Sequence, residues 1–523
     1  MSTQPAVSTL TDPRSASDAR VPRALLVAAA LYAAAWSLVP PWVTAGFPLD
    51  VVESLTWGHE GEWGYYKHPP MAPWVLYVFY RVFGRAGPYL LSQVCIGFTL
   101  WLVWLTGRRL MTRERAWLGA ALTMGTVFLT RPALEFNHNV AQLPLWAGIG
   151  WALLAALQDG RLRQWLLLGL LAGLCLLTKY SGALLLACLG VYVLATPQRR
   201  VLRTPGPWLA VLLAVAVLAP HLRWLWQHGG LPFAYVSSRA GADVGHPRAD
   251  AWGFLGMQFI NHVPLLLIVL WAVLPAWRQA RRAKPVEAGV RAATRLHTDW
   301  PGYLLVLALA PGLLTALLGL AGIARVRDMW GVPMWTFSGL LAVACLPTAW
   351  LGVARPRLSR GLLVWLVLIS VLSGAYLAFI AQWRQRPVRT DWPSAALAAH
   401  AQASWDGVSQ CPLDVVAGEY HLAGTLAVAL SPRQPSVLIH GDPRYSPWVT
   451  PARLQAGGAL WIWTDDDASD VPPEPLNRVA AQADLRPHDG TWQVPWPREP
   501  AGRPFTVHWR AYVPAACARA RGG

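Results

Sequence analysis

The sequence predicts an α-helical polytopic membrane protein with a small α/β domain at its C-terminal end, and three observations carry that prediction. Of 523 residues, 54% are hydrophobic and only 14% charged, which is too apolar for an ordinary soluble protein of this length. Apolar runs of spanning or near-spanning length recur from residue 24 to residue 380. Beyond residue 384 the composition turns soluble, and helix-like runs alternate with short strand-like ones.

The apolar runs lie at residues 24–42, 88–106, 116–130, 140–157, 165–178, 180–194, 208–226, 254–277, 303–320, 332–350 and 361–380. Against the ~20 residues a helix needs to cross hydrocarbon, they amount to about 11 spans. The runs 165–178 and 180–194 are short and separated only by Lys179, so one long helix with a snorkelling lysine competes with two spans; two is the reading adopted. Residues 71–83 are too short to span and end near Arg81 and Arg85, which suits an interfacial helix.

Basic residues set the orientation, because short cytoplasmic loops collect Lys and Arg. With the N-terminus inside, residues 1–23, 107–115, 158–164, 197–203, 278–295 and 354–360 are cytoplasmic and hold 21 of the 44 Lys and Arg. That distribution accounts for much of the +17 net charge without a nucleic-acid partner. The expected organisation is a cytoplasmic tail at 1–23, a transmembrane domain at 24–383 with a first extracytoplasmic loop at 43–87, and an extracytoplasmic α/β domain at 384–523. Further outer loops follow at 131–139, 227–251 and 321–331. The first 22 residues lack the apolar region and cleavage site of a secretory signal, so the first span reads as an uncleaved anchor in the plasma (inner) membrane. Many of the 31 Trp, among them Trp42, Trp208, Trp226, Trp252, Trp277, Trp330, Trp350 and Trp383, sit at span ends as an interfacial belt.

In the tail, helix-like runs at 394–404 and 475–483 alternate with strand-like runs at 413–417, 436–440, 459–464 and 505–512, without a GxGxxG or P-loop pattern. The run Asp465, Asp466 and Asp467 reads as a solvated turn. Four cysteines, Cys95, Cys175, Cys188 and Cys345, fall within spans, whereas Cys411 and Cys517 fall in the tail, where an oxidising compartment permits them to pair.

The stretch 47–70, FPLDVVESLTWGHEGEWGYYKHPP, gathers ionisable and aromatic side chains just past the first span. Asp50 and Glu53 are three apart and share a helix face. Two readings stand side by side: a helix-capping pair, or two repelling carboxylates of which one is a general base near neutrality. Trp63, Tyr65, Tyr66, Lys67 and His68 add ring faces suited to a sugar and a cation suited to phosphate. The second outer loop contributes Glu135, Asn137, His138 and Asn139, with Asn139 as a helix cap the plainer alternative. Lys179 with Tyr180, and Arg325 with Arg327 beside Asp328 and Trp330, supply further cations for phosphate oxygens, snorkelling or interfacial anchoring being the alternatives. His221, Arg223, His228 and Arg239 are lesser candidates. His59, His68 and His138 form no metal-ligand spacing, so no cofactor is assigned and a divalent cation has no support from spacing.

At LDVVESLTWG, GYYKHPPMAPW, FNHNVAQLPLW, GLLAGLCLLTKYSGALL and RDMWGVPMW the chain resembles the GT-C superfamily of membrane glycosyltransferases, specifically glycosyltransferase family 39, which holds the protein O-mannosyltransferases and the lipid A aminoarabinose transferase. The resemblance covers residues 24–350. It implies a sugar donor on a polyprenyl or dolichyl phosphate, a hydroxyl on a lipid, glycan or protein acceptor, inversion at the anomeric carbon, and a first-loop aspartate, here Asp50, as base or its close partner. Two departures stand out. Val51 follows Asp50 where the family often has a glutamate, leaving Glu53 as the nearby acid, and the family's second-loop acid is replaced within residues 137–139.

The expected reaction is therefore transfer from a polyprenyl-phosphate sugar on the extracytoplasmic face. Asp50 is assigned as base assisted by Glu53, with Tyr65, Tyr66, Lys67, His68, Asn137, His138, Asn139, Lys179, Tyr180, Arg325 and Arg327 around the donor. A transporter or lipid flippase is the alternative; it predicts charges near the bilayer midplane and pseudo-symmetric halves, whereas these candidates cluster towards one face and no repeat is evident. A binding protein built around the tail is a third reading.

Overall fold

The computed structural model describes residues 23–235, 247–282, 296–384, 388–465, 474–482, 485–497 and 504–519. The expected cytoplasmic tail up to residue 22, Arg239, residues 283–295 of the basic segment expected to be cytoplasmic, Asp466 and Asp467 lie outside the described residues.

Among the described residues, seven helical segments are long and apolar enough to cross a membrane: Leu26–Val43, Met71–Leu110, His138–Asp159, Pro205–Gln227, Arg248–Gln279, Pro301–Leu320 and Thr348–Arg384. An eighth results if Gly182–Ala195 and Pro197–Arg203, bent by 99°, count as one span. In chain order the first helices are α1 (Arg23–Val43), α2 (Leu49–Glu60), α3 (Met71–Phe83), α4 (Gly87–Leu110), α5 (Arg113–Thr123), α6 (His138–Asp159), α7 (Leu162–Thr178), α8 (Gly182–Ala195) and α9 (Pro205–Gln227). They continue with α10 (Pro247–Arg282), α11 (Pro301–Leu320), α12 (Ser338–Ala344) and α13 (Thr348–Arg384). The apolar segment expected to lie at the interface is α3, whose Val78, Val82 and Phe83 are exposed; it runs on through a short 3₁₀ turn into α4. Lys179 is extended, at φ −162° and ψ 138°, and so separates α7 from α8 as two helices.

Two of the expected spans are short or broken instead. Residues 116–130 form α5, only 11 residues long, followed by a 3₁₀ turn. Residues 332–350 contain Pro333 and Pro347, which remove backbone donors, and yield a 3₁₀ segment, the 7-residue α12 and the start of α13. The two short helices pack on each other: a Cβ at Gly339 would land on the Gly119 carbonyl and the Thr123 backbone. The buried Arg115 guanidinium donates to the Val343 carbonyl at 2.6 Å and the Leu346 carbonyl at 2.9 Å, satisfying the orphan acceptors at the end of α12. The apolar positions exposed along α9 and α13, such as Leu212 and Val364, face where lipid would be, and Trp42, Trp226 and Trp383 are exposed at helix ends.

The C-terminal domain has α14 (Ser394–Val408), β1 (Val415–Gly418), α15 (Tyr420–Ala429), β2 (Ser436–Ile439), α16 (Pro451–Gly457), β3 (Ala459–Trp463), α17 (Glu474–Gln482), β4 (Arg486–Val494) and β5 (Phe505–Val513). The sheet order is β2-β1-β3-β5-β4, with β1 parallel to β2 and β3, and β5 antiparallel to β3 and β4. Strands β1 and β2 are buried throughout, which is why they read as continuous apolar runs. The edge strand β4, RPHDGTWQV, is polar over most of its length and carries no apolar run to betray it. Cys411 and Cys517 form a disulfide with Cα atoms 5.3 Å apart, tying the end of the chain to the segment after α14.

The domain docks on the first loop. Helix α15 lies against α2 so closely that a Cβ at Gly424 would sit 2.7 Å from Val52 Cγ1. Trp57, Tyr65 and Tyr66 of the first loop share one apolar core with Leu397, Trp405, Leu422 and Leu426 of the domain.

Because the disulfide closes a loop with a sequence separation of 106, Cys411→Ser is expected to lower the stability of this domain by roughly 2–4 kcal/mol. Thermal unfolding of the purified protein with and without reductant checks it, and identical midpoints would refute it.

Candidate functional site

The site forms where α2, the segment 61–70, the second outer loop and the α7–α8 break meet. Pro48 stands at the N-cap of α2 with no side-chain capping bond, so neither carboxylate is occupied in capping the helix. Asp50 sits in the first turn, and its backbone N–H donates to Glu135 Oε1 at 3.2 Å. Glu53 is buried one turn on.

Glu53 is committed to Lys67. The Lys67 Nζ donates to Glu53 Oε1 at 2.5 Å, and the Tyr66 hydroxyl donates to the same oxygen at 3.3 Å. The ammonium also lies 5.0 Å from the ring centre of Tyr66, 5.6 Å from that of Tyr235 and 4.5 Å from that of Tyr420, an aromatic cage closed by the C-terminal domain. Burial works against the Lys67 charge, but Glu53 outweighs it and its pKa stays raised. Tyr65 stacks on Trp57 at 5.0 Å and donates to the Trp57 carbonyl at 2.6 Å, which fixes the loop that carries Lys67.

The second loop supplies a carboxylate expected to be missing. A 3₁₀ turn at Arg131–Leu134 delivers Glu135 to the start of α2. Asn137 caps α6, accepting from the N–H groups of Asn139 at 2.9 Å and Val140 at 3.2 Å, and also hydrogen-bonds Asp50. The capping role considered for Asn139 thus falls to Asn137, and Asn139 Oδ1 instead accepts from Lys179 Nζ at 2.5 Å. His68 and His138 pack ring on ring at 4.1 Å, and burial holds His68 well below its ordinary pKa, hence neutral.

Burial raises the Asp50 carboxyl, opposed by the charges of Lys67 and Lys179, the Asn137 bond and the charge of Arg389. Glu135 is pushed up to about 7 by burial and by the charge of Asp50. Lys179 is drawn down to about 8 by burial, with Asp50 opposing. Two carboxyl groups, both raised by burial, thus face a set of cations, an arrangement suited to taking a proton beside a phosphate.

The structure therefore brings Asp50, Glu53, Tyr66, Lys67, Asn137, Asn139 and Lys179 together, with His68 and His138 against Trp57 behind them. Tyr180 packs to one side, its hydroxyl 3.0 Å from His221 Nε2, while His221 Nδ1 lies 2.6 Å from the Trp63 carbonyl. Arg325 is engaged elsewhere, bonded to Asp250 at 3.0 Å, and Arg327 is exposed at the head of the 3₁₀ segment Asp328–Trp335. The sequence named Glu135 in the second loop without giving it a role around the donor, and it gave no sign of Tyr235, Arg389 or Tyr420. Glu135 had a signal in its closeness to Asn137, but the other three are brought in by packing between segments far apart in the chain. Among the described residues, no group of three or more His, Cys, Asp or Glu is placed to hold a metal ion.

Removing one partner of a buried ion pair strands the other. Lys67→Met should therefore cost about 3 kcal/mol of stability, and the double variant Glu53→Leu with Lys67→Met should recover most of it. Thermal unfolding in detergent, read by tryptophan fluorescence, tests this; a double variant no more stable than Lys67→Met would refute it.

Comparison with known proteins agrees with this architecture. The dolichyl-phosphate-mannose-protein mannosyltransferase family matches residues 67–224. The undecaprenyl phosphate-alpha-4-amino-4-deoxy-L-arabinose arabinosyl transferase 1 of Pseudomonas fluorescens (strain Pf0-1) is 28% identical over 240 residues, 42% of this chain and 41% of that protein. The match thus spans under half of that relative's length. The lipopolysaccharide core galacturonosyltransferase RgtB of Rhizobium johnstonii is 24% identical over 430 residues, 79% of this chain and 81% of that one. The crystal structure of ArnT from Cupriavidus metallidurans bound to undecaprenyl phosphate superposes with a TM-score of 0.58 at 15% identity, covering 95% of this chain and 99% of that one, and shares the fold. The motifs of the first loop, the family matched over residues 67–224 and the fold shared with the ArnT structure thus agree on what this chain is similar to: membrane glycosyltransferases.

Proposed function

We propose that the protein is an integral membrane glycosyltransferase that moves a sugar from a polyprenyl-phosphate donor to an acceptor hydroxyl on the extracytoplasmic face, with Asp50 as general base. The observation that carries this reading is the pairing of Asp50 with Glu135 in a buried site that also holds Lys67 of the first loop and Lys179 at the end of α7. The relatives support the donor class, since one is named for undecaprenyl phosphate and the ArnT structure holds that lipid. Their names differ in the sugar, arabinosyl in one and galacturonosyl in the other, so the class of reaction transfers and the sugar does not.

In the proposed step the acceptor oxygen gives its proton to Asp50 and attacks the anomeric carbon. The bond from that carbon to the phosphate oxygen breaks on the opposite face, and the electron pair leaves with the polyprenyl phosphate. One displacement inverts the centre and needs one base. The charge that develops on the leaving phosphate is met by cations already in place, so little reorganisation is required. Glu135 holds the Asp50 backbone, while burial raises the Asp50 carboxyl and so keeps it basic. The orientation, N-terminus cytoplasmic and C-terminal domain outside, is supported by the basic segments and by a disulfide in that domain, a bond that persists in oxidising compartments.

Asp50→Asn should reduce transfer from a polyprenyl-phosphate sugar in membranes by about 10²–10⁴-fold at unchanged expression, and near-parental transfer would remove Asp50 from its role. A base works only when deprotonated, so activity falls as pH drops through the raised pKa values of the Asp50 and Glu135 pair. Glu135→Gln keeps an acceptor for the Asp50 N–H but removes the group pushed up to about 7, which leaves Asp50 to titrate alone and moves the acid limb of the pH–rate profile to lower pH. An unmoved or raised limb would count against the pairing. In intact cells, an impermeant maleimide should leave the exposed Cys345 unmodified until the membrane is permeabilised; labelling beforehand would invert the topology.

A further inference from the structure

The cations around Asp50 are not equivalent. Lys67 is bonded to Glu53 and enclosed by three tyrosines, and Lys179 is buried and donates to Asn139. Both spend their charge on protein groups. Arg389 acts electrostatically on Asp50, Glu135 and His421, yet its side chain is exposed, and among the described residues no ion pair or hydrogen bond engages its guanidinium.

Its backbone, by contrast, is pinned. Arg389–Asp391 is a 3₁₀ turn closed by the buried Asp391, whose carboxylate accepts from the Val388 N–H at 3.4 Å. The Thr390 carbonyl accepts from the N–H groups of Ala45 at 2.9 Å and Gly46 at 2.8 Å, and the Ser394 hydroxyl donates to the Ala45 carbonyl at 3.1 Å. The approach is close at Gly46, where a Cβ would stand 3.3 Å from the carbonyl oxygens of both Arg389 and Trp392. The turn is thus riveted to the strand of chain that leads into α2. Beside it a cavity of about 490 Å³ opens between Thr44, Ala45 and Arg85 on one side and Pro393 and Ser394 on the other. It lies where α1 ends.

We propose that Arg389, presented by the segment joining the last membrane helix to the C-terminal domain, is a phosphate-binding residue of the Asp50 site and takes a phosphate oxygen of the lipid-linked donor. A guanidinium on a fixed backbone offers a planar pair of donors that a phosphate matches in two bonds. The inference rests on the lipid-phosphate reading above. It assigns the C-terminal domain a share of the site, through Arg389 at its entry and Tyr420 over Lys67. The charged and titratable groups around the same space are Asp50 and Glu53 of α2, Lys67 and His68 of the first loop, Arg131, Glu135 and His138 of the second, Lys179 of the α7–α8 break, and Glu419, Tyr420 and His421 of the domain.

The test is binding of undecaprenyl phosphate to the purified full-length protein in nanodiscs, by tryptophan fluorescence, with phosphatidylglycerol as the competing phosphate lipid. Arg389→Gln should weaken undecaprenyl phosphate binding about tenfold, with the unfolding midpoint of the empty protein unchanged. Should Arg389→Gln lower that midpoint, Arg389→Lys is read instead; it keeps the charge but loses the fork, and a weakening of about threefold is expected, parental affinity overturning the inference. Parental binding by a stably folded Arg389→Gln overturns the inference and leaves the lipid-phosphate reading standing. No binding of undecaprenyl phosphate by the parent overturns both. Equal binding of phosphatidylglycerol at Arg389 assigns the residue to the bulk membrane and overturns the inference as well.

Discussion

The contact on which the rest of the site depends is the packing of α15 against α2, where Gly424 admits Val52 at a distance no side chain would allow. It brings the C-terminal domain down over the first loop, merges Trp57, Tyr65 and Tyr66 with the domain's own core, and buries Glu53 with Lys67 beneath Tyr420. An ion pair there is not a source of stability in itself, because both charges have left water. Its effect is positional: neither charge can move without stranding the other, so the loop carrying Lys67 and the helix carrying Asp50 are held in one register.

That enclosure also sets the chemistry. Carboxylates shielded from water ionise reluctantly, so burial raises both Asp50 and Glu135, and the charge of Asp50 raises Glu135 further, to about 7. The cations share the work unequally. Lys67 and Lys179 are held against Glu53, Asn139 and Asp50, whereas among the described residues no ion pair or hydrogen bond engages the Arg389 guanidinium. A proposed transferase with a charged leaving group needs both kinds: fixed charge that stabilises the site before the lipid arrives, and open donors that receive it.

The half-length helices belong to the same design. Helices α5 and α12 do not reach across a bilayer singly, and they pack through Gly119 and Gly339 while Arg115 closes the end of α12. Beyond α5 the chain passes through two 3₁₀ turns before α6, and that irregular path is what carries Glu135 to Asp50. Irregular backbone is tolerated at this depth only where protein covers it, and Phe128, Leu129 and Phe136 are buried there.

Composition and periodicity by themselves determined the class: a chain this apolar, with long unbroken runs and basic residues on one side, folds as a helical membrane protein, and a change of pattern at residue 384 announces a second unit. Local chemistry also marked Asp50, Lys67, Asn137 and Lys179, since ionisable groups near a bilayer need a reason to be there. Hydropathy could not separate a continuous span from α5 or from the broken stretch around Pro333 and Pro347, because lipid and protein surroundings are equally apolar. Nor did it reveal β4, whose outward-facing polar residues look like loop. The partnerships were decided only by the tertiary structure: Glu53 to Lys67 and not to Asp50, Asp50 to Glu135, Asn139 to Lys179, Arg325 to Asp250. A charge responds to whatever lies within a few ångströms through space, and neighbours 40 or 85 positions away in the chain are set by packing alone.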